Sequence, residues 1–105
     1  MTIITRGVTI GGVIASVKSA DTALLAEGGR VRRLAAIESV ARRKLRQLEI
    51  AGSLEDLRVP PGNRLEALKG DRLGQFSIRV NDRYRLCFRW SDARGAEDVE
   101  IVDYH

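Results

Sequence analysis

Cysteine is almost absent from the chain. Cys87 stands alone, which excludes an internal disulfide framework and any zinc site built from several cysteines, and fits a reducing cytoplasm. Long apolar runs are missing as well. No window approaches the roughly 20 continuous apolar residues of a membrane span. Met1 to Val17 is interrupted by Thr, Gly and Ser, with no small-residue cleavage site after a long apolar core, so no signal peptide is read there. There is no P-loop, no dinucleotide-binding glycine pattern, no Gly-x-Ser-x-Gly and no metal-ligand cluster. The enzyme classes built on those motifs drop out, and neither a metal nor a cofactor is expected.

What is present suits one small soluble domain. The 105 residues are 44% hydrophobic, enough for a single core, and 30% charged with both signs mixed. Lys and Arg number 18 against 14 Asp and Glu, a net charge of +4, which leans towards a polyanionic partner such as nucleic acid. The cations concentrate: Arg30, Arg32, Arg33, Arg42, Arg43, Lys44 and Arg46 are opposed only by Glu38. Such a segment is either a solvated helix face or a basic surface for nucleic acid.

Residues 1–12 end in a Gly pair and differ from the rest, so they read as a flexible extension, with the domain over 13–105. Val13 to Val17 is a short strand candidate. Asp21 or Thr22 can cap a short helix through Glu27, ended by Gly28-Gly29. Ile37, Val40, Ala41, Leu45 and Leu48 recur at helical spacing and define a helix over Ile37–Leu48, with Arg42, Arg43 and Arg46 pointing away from its apolar stripe. Gly52 stops that helix. Ser53 with Glu55-Asp56 then caps a further short turn, and Pro60-Pro61-Gly62 enforces a non-helical loop.

From Arg64 the period changes to two. Phe76, Ile78, Val80, Tyr84, Leu86, Phe88 and Trp90 fall on one face, and Ser77, Arg79, Arg85, Cys87 and Arg89 on the other. A two-residue turn would set Ile78 against Arg85 and mix the faces. A loop of Asn81-Asp82-Arg83 instead pairs Ile78 with Leu86 and Arg79 with Arg85. Ser91 to Ala96 is a second turn, and Asp98 to Asp103 returns as the last strand. The plan is α+β: two N-terminal helices on a mainly antiparallel sheet of four to five strands.

Chemistry on such a frame has few candidates. Lys69, Arg72, Arg79 and Arg85 supply cations, while Tyr104 and the sole histidine, His105, adjoin each other. Cleaving RNA through its own 2′-hydroxyl needs a base, an acid and cations around the phosphate, and no metal. Each residue also has a duller reading. His105 frays, Tyr104 packs, the strand arginines form a solvated face, Lys69-Gly70-Asp71-Arg72 is a polar turn, and Cys87 is a small filler. Glu66 is a base or merely an ion-pair partner of Lys69.

Three segments carry a resemblance. Arg64-Leu-Glu-Ala-Leu-Lys-Gly-Asp-Arg-Leu-Gly-Gln75, Ser77-Ile-Arg-Val-Asn-Asp-Arg-Tyr-Arg-Leu-Cys-Phe88 and Asp98-Val-Glu-Ile-Val-Asp-Tyr-His105 closely resemble the HigB, or plasmid-maintenance killer, family within the RelE superfamily. The most specific parts are the Leu-Lys-Gly-Asp-Arg loop, the Val-Asn-Asp-x-x-Arg hairpin and the Asp-Tyr-His tail. The resemblance implies a RelE-like microbial ribonuclease fold, entry into the ribosomal A site, cleavage of mRNA during translation, and neutralisation by a helix-turn-helix antitoxin called HigA. Operator DNA would be reached only through that antitoxin. By the same resemblance Lys69, Arg85, Asp103, Tyr104 and His105 are the catalytic set, and the distribution of cations adds Arg72, Arg79, Arg42, Arg43 and Arg46 as RNA contacts. The aromatic usual in the first strand is replaced by Val17, a Phe common in the first helix by Leu25, and a His of some relatives by Glu66. Two rivals differ in class or substrate: a binding module that holds RNA or antitoxin without cutting, and a nuclease acting on free RNA.

Overall fold

Alternation along residues 76–90 decides the frame. The structure, a computed structural model, describes residues 14–103. The extension expected over 1–12, Val13, and the expected site residues Tyr104 and His105 lie outside the described residues. Four strands, β1 (Glu66–Ala67), β2 (Phe76–Arg79), β3 (Tyr84–Ser91) and β4 (Gly95–Asp103), form one antiparallel meander in chain order. The hairpin register pairs Ile78 with Leu86 and Arg79 with Arg85, as the odd loop Asn81–Arg83 requires. Asn81 supports that loop by accepting from the Arg83 and Tyr84 N–H groups at 2.9 and 2.8 Å.

The last strand starts at Gly95 rather than at Asp98. Cys87 pairs with Glu100 but Arg89 pairs with Glu97, so β4 carries one extra residue, and Asp98 takes a left-handed φ of 52° to accommodate it. That bulge turns both Ala96 and Val99 into the core although they are three apart. The strand expected at Val13–Val17 is reduced to two parallel bridges, Ile14 to Ala96 and Val17 to Val99.

Two α-helices cover one face of the sheet. In α1 (Ala20–Ala26) the N-cap is Ser19, not Asp21 or Thr22. Ser19 is extended and its hydroxyl accepts from the Thr22 N–H at 3.1 Å. Thr22 is instead buried, and its hydroxyl accepts from the Ile101 N–H at 3.0 Å, which ties the helix to β4. The helix ends in a Schellman motif. Gly28 sits at φ 94°, and the Gly29 and Gly28 N–H groups donate to the Leu24 and Leu25 carbonyls. A 3-10 turn, Arg32–Ile37, then leads into α2 (Glu38–Ile50). A 13-residue helix is marginal alone, so its stability comes from burying Ala41, Leu45 and Leu48. Each fully buried Leu contributes about 1.5–3 kcal/mol. These residues join Leu25, Leu34, Ile78, Leu86, Phe88, Val99 and Ile101 in one core.

The connection from α2 to β1 contains two more 3-10 turns. Leu54–Arg58 opens with a capping box in which the Asp56 carboxylate accepts from the Gly52 and Ser53 N–H groups at 2.9 and 3.2 Å. Pro61–Asn63 is a turn of 3-10 helix and not the plain loop expected there, because Pro61 occupies the first turn, where a missing N–H costs nothing.

Candidate functional site

Among the described residues both α-helices lie on one side of the sheet. Cross-strand partners share a face, so the register sets Ser77, Arg79, Arg85, Cys87, Glu100 and Val102 together on the other. Ser77 and Cys87 are fully buried there, which fits Cys87 as a filler. The flanks are charged.

Arg85 is the most firmly held of these groups. Its Nε donates to Ser77 Oγ at 2.7 Å, its Nη2 donates to the Arg64 carbonyl at 2.8 Å, and Glu66 Oε1 lies 3.5 Å from Nη2. Only 13% of the side chain is exposed. A planar guanidinium anchored at two nitrogens is oriented before any ligand arrives, so little rotamer entropy is lost when it binds. Glu66 comes from β1, where its pairing with Ser77 turns it towards Arg85.

The Arg64 carbonyl is itself positioned by a buried polar network. Asn63, fully buried, donates through Nδ2 to Gln47 Oε1 and the Leu57 carbonyl, both at 3.0 Å, and accepts from Lys44 Nζ. Burial, then the neighbouring Arg43 and Arg79 charges, push the Lys44 ammonium below its ordinary range. Arg64 follows at φ 48°, a left-handed conformation that costs a non-glycine residue about 1–2 kcal/mol.

The expected site residues divide into groups. Arg79 and Arg85 are brought together across the hairpin, and Arg79 pairs with Asp82. Lys69 is exposed at the start of the turn Gly70–Arg72, just beyond β1, and its ammonium has no partner among the described residues. Arg72 reaches back over β4, with Nη1 3.4 Å from Glu100 Oε1 and donating to Gln75 at 3.0 Å. Asp103 is not brought to Arg85. It pairs with Tyr84, on the helix-covered face, and its carboxylate accepts from Arg83 Nε and Nη2 at 3.0 and 2.8 Å. Tyr104 and His105 follow it directly in the chain.

The α2 arginines have other surroundings. Arg42 donates to the Gly29 carbonyl at 2.6 Å and pairs with Glu38 at 2.9 Å, binding α2 to the end of α1. Arg46 is exposed, 3.7 Å from Glu49, and Arg43 is exposed without a partner among the described residues.

Three members of the site escaped sequence reasoning. Ser77 carried a signal, since the alternation already placed it on the face of Arg79 and Arg85. Asn63 and Arg64 carried none, because a Pro-Pro-Gly-Asn-Arg segment reads as an exposed loop.

Comparison with known proteins bears on the same segments. A family model described as RelE-like toxin of type II toxin-antitoxin system HigB matches residues 26–105. The chain is similar to Toxin HigB-1 of Vibrio cholerae serotype O1, 54% identical over 56 residues, or 53% of this chain and 59% of that protein. It is also similar to an uncharacterized protein of Haemophilus influenzae, 40% identical over 53 residues, or 50% of this chain and 52% of that one. The aligned part spans little more than half the length of these curated relatives. The family match runs from the last residue of α1 through the whole sheet, and on that ground the chain belongs to the HigB family of RelE-like toxins of type II toxin–antitoxin systems.

Proposed function

We propose that the chain, acting through a domain over residues 13–105, is a metal-independent endoribonuclease. It cuts mRNA in the ribosomal A site during translation in the cytoplasm, and a HigA-like helix-turn-helix antitoxin silences it. The observation that carries this reading is Arg85, anchored by Ser77 and the Arg64 carbonyl on the helix-free face. An oriented cation of this kind suits a phosphate that gains charge in the transition state.

In this scheme the mRNA 2′-hydroxyl loses its proton to a base and attacks the adjacent phosphorus. A cyclic phosphate forms, and the bond to the 5′-oxygen breaks as an acid protonates it. Arg85 holds the phosphate. Lys69 neutralises developing charge or assists the base. His105, as an imidazole, suits either proton role, while Tyr104 stacks on a base or shares the proton work. Asp103, bound to Arg83, orients the strand end from which Tyr104 and His105 continue. Arg72, Arg79, Arg42, Arg43 and Arg46 contact RNA electrostatically, and operator DNA is reached only through the antitoxin. A site with so few acid–base pairs depends on the ribosome to position its substrate.

Primer extension on a reporter mRNA tests this, using the intact chain and one truncated before Tyr104, with translation running or blocked. Cuts that need both the tail and active translation are expected. Cuts that persist when translation is blocked would make it a nuclease of free RNA, and antitoxin binding without cuts would make it a binding module.

A further inference from the structure

The cleavage scheme uses the Arg64 carbonyl but leaves its side chain unused, and the placement of that side chain is difficult to account for by folding alone. Arg64 holds a left-handed conformation, φ 48°, ψ 56°, that Gly or Asn adopts with less strain. The carbonyl that anchors Arg85 belongs to the backbone, and any residue at this position would supply it. The side chain is exposed, and its guanidinium has no partner among the described residues. A strained position that keeps a long cation without an internal contact points outward, to a ligand.

The surroundings say what kind. Arg64, Arg79 and Arg85 line one open groove of about 630 Å³ together with Gly62, Asn81 and Asp82. Arg79 and Arg85 are direct cross-strand neighbours, so their Cβ atoms lie on the order of 5 Å apart, and like charges so placed repel each other. The Arg79 charge also reaches the buried Lys44 ammonium. Asp82, which pairs with Arg79, is the one acid among the lining residues, which include no aromatic or aliphatic side chain. Excess positive charge without an apolar floor suits a flexible polyanion rather than a folded hydrophobic partner.

We propose that Arg64 and Arg79 form a second phosphate subsite beside Arg85, which takes the phosphodiester adjacent to the scissile one in single-stranded RNA. The subsite rests on the RNA-cleaving reading of the face and gives it directionality. One phosphate sits on Arg85, and its neighbour is drawn along the groove towards the turn Pro61–Asn63.

The test uses uncleavable 2′-O-methyl oligonucleotides, a dinucleotide with one phosphate and a trinucleotide with two, titrated by NMR against the full chain. The parent should prefer the trinucleotide. Arg64→Asn keeps the left-handed backbone and the carbonyl, so it should fold and bind the dinucleotide as the parent does. It should bind the trinucleotide roughly 3–10-fold more weakly, with the slope of log K against log salt smaller by about 0.7, the share of one phosphate in a single strand. Arg64→Lys should restore most of both.

Equal trinucleotide affinity for parent and Arg64→Asn would overturn the subsite, as would failure of the parent to bind either oligonucleotide. An equal loss on both oligonucleotides would overturn it too and make Arg64 a positioning residue for Arg85. Weaker antitoxin binding with unchanged trinucleotide binding would assign the groove to the protein partner instead. Failure of the parent to cut mRNA on ribosomes, with the trinucleotide preference intact, would remove the cleavage scheme and leave the subsite standing.

Discussion

The two faces of the sheet are built from the same strands and obey different rules. On the helix-covered face Ile78, Leu86, Phe88, Val99 and Ile101 are held by volume and contact, so neighbouring shapes can exchange at modest cost. On the other face Ser77, Arg85, Glu66 and the Arg64 carbonyl are held by direction, each bond needing its own donor and acceptor. A face held by volume stabilises the fold and tolerates drift. The directional face contributes less stability and fixes the position of a charge.

That contrast can be broken or sharpened by experiment. Phe88→Ala should cost about 3–5 kcal/mol in chemical denaturation, while cleavage per folded molecule stays near the parent's. A matching loss of intrinsic activity would mean that the faces are not separable. Arg85→Lys should do the reverse: primer extension should report roughly 10²–10³-fold less cleavage, since an ammonium lacks the planar fork, with a much smaller change in melting temperature. Asn63→Ala should fall between, costing about 2–3 kcal/mol because it leaves Lys44 and the Leu57 carbonyl buried without their partner. It should lower cleavage too, because the Arg64 carbonyl loses its support.

The smallest effect is a pH dependence. Lys44 is held below 10.5 in the folded chain, so the folded state releases that proton at lower pH than the unfolded one. Charging it in the interior is unfavourable, and this penalty is complete below the folded value and vanishes as pH rises to 10.5. The stability of the parent relative to Lys44→Met should therefore increase with pH across the window that ends there. A flat difference would show that Lys44 is as well solvated folded as unfolded.

The sequence was legible where one local rule sufficed. Alternation and loop parity fix the β2–β3 register, and through it the meeting of Arg79 and Arg85. Helical spacing finds α2. It failed where tertiary contact overrides local pattern. Ala96 and Val99 both face inward only because Asp98 bulges, which breaks the period of two and hid the start of β4. β1 has two exposed residues and no pattern to read. Asn63 is a site residue through partners on α2 that lie 16 and 19 positions away. Arg42 looked like its neighbours as a cation, and its carbonyl partners on Leu25 and Gly29 were invisible.

The pairing of Ile14–Val17 with β4 sets the timing of folding. The Ser16 hydroxyl accepts from the Asp98 N–H across 82 positions, and Thr22 from Ile101 across 79. During synthesis these early residues wait without partners until β4 has left the exit tunnel, because contacts so distant in sequence cannot close sooner. Helix α1, of 7 residues, is too short to persist until it is locked to the sheet. The contacts that orient Arg85 come from Arg64, Glu66 and Ser77, all earlier in the chain than Arg85 itself, so that face can close before the Ile14–Val17 pairing does.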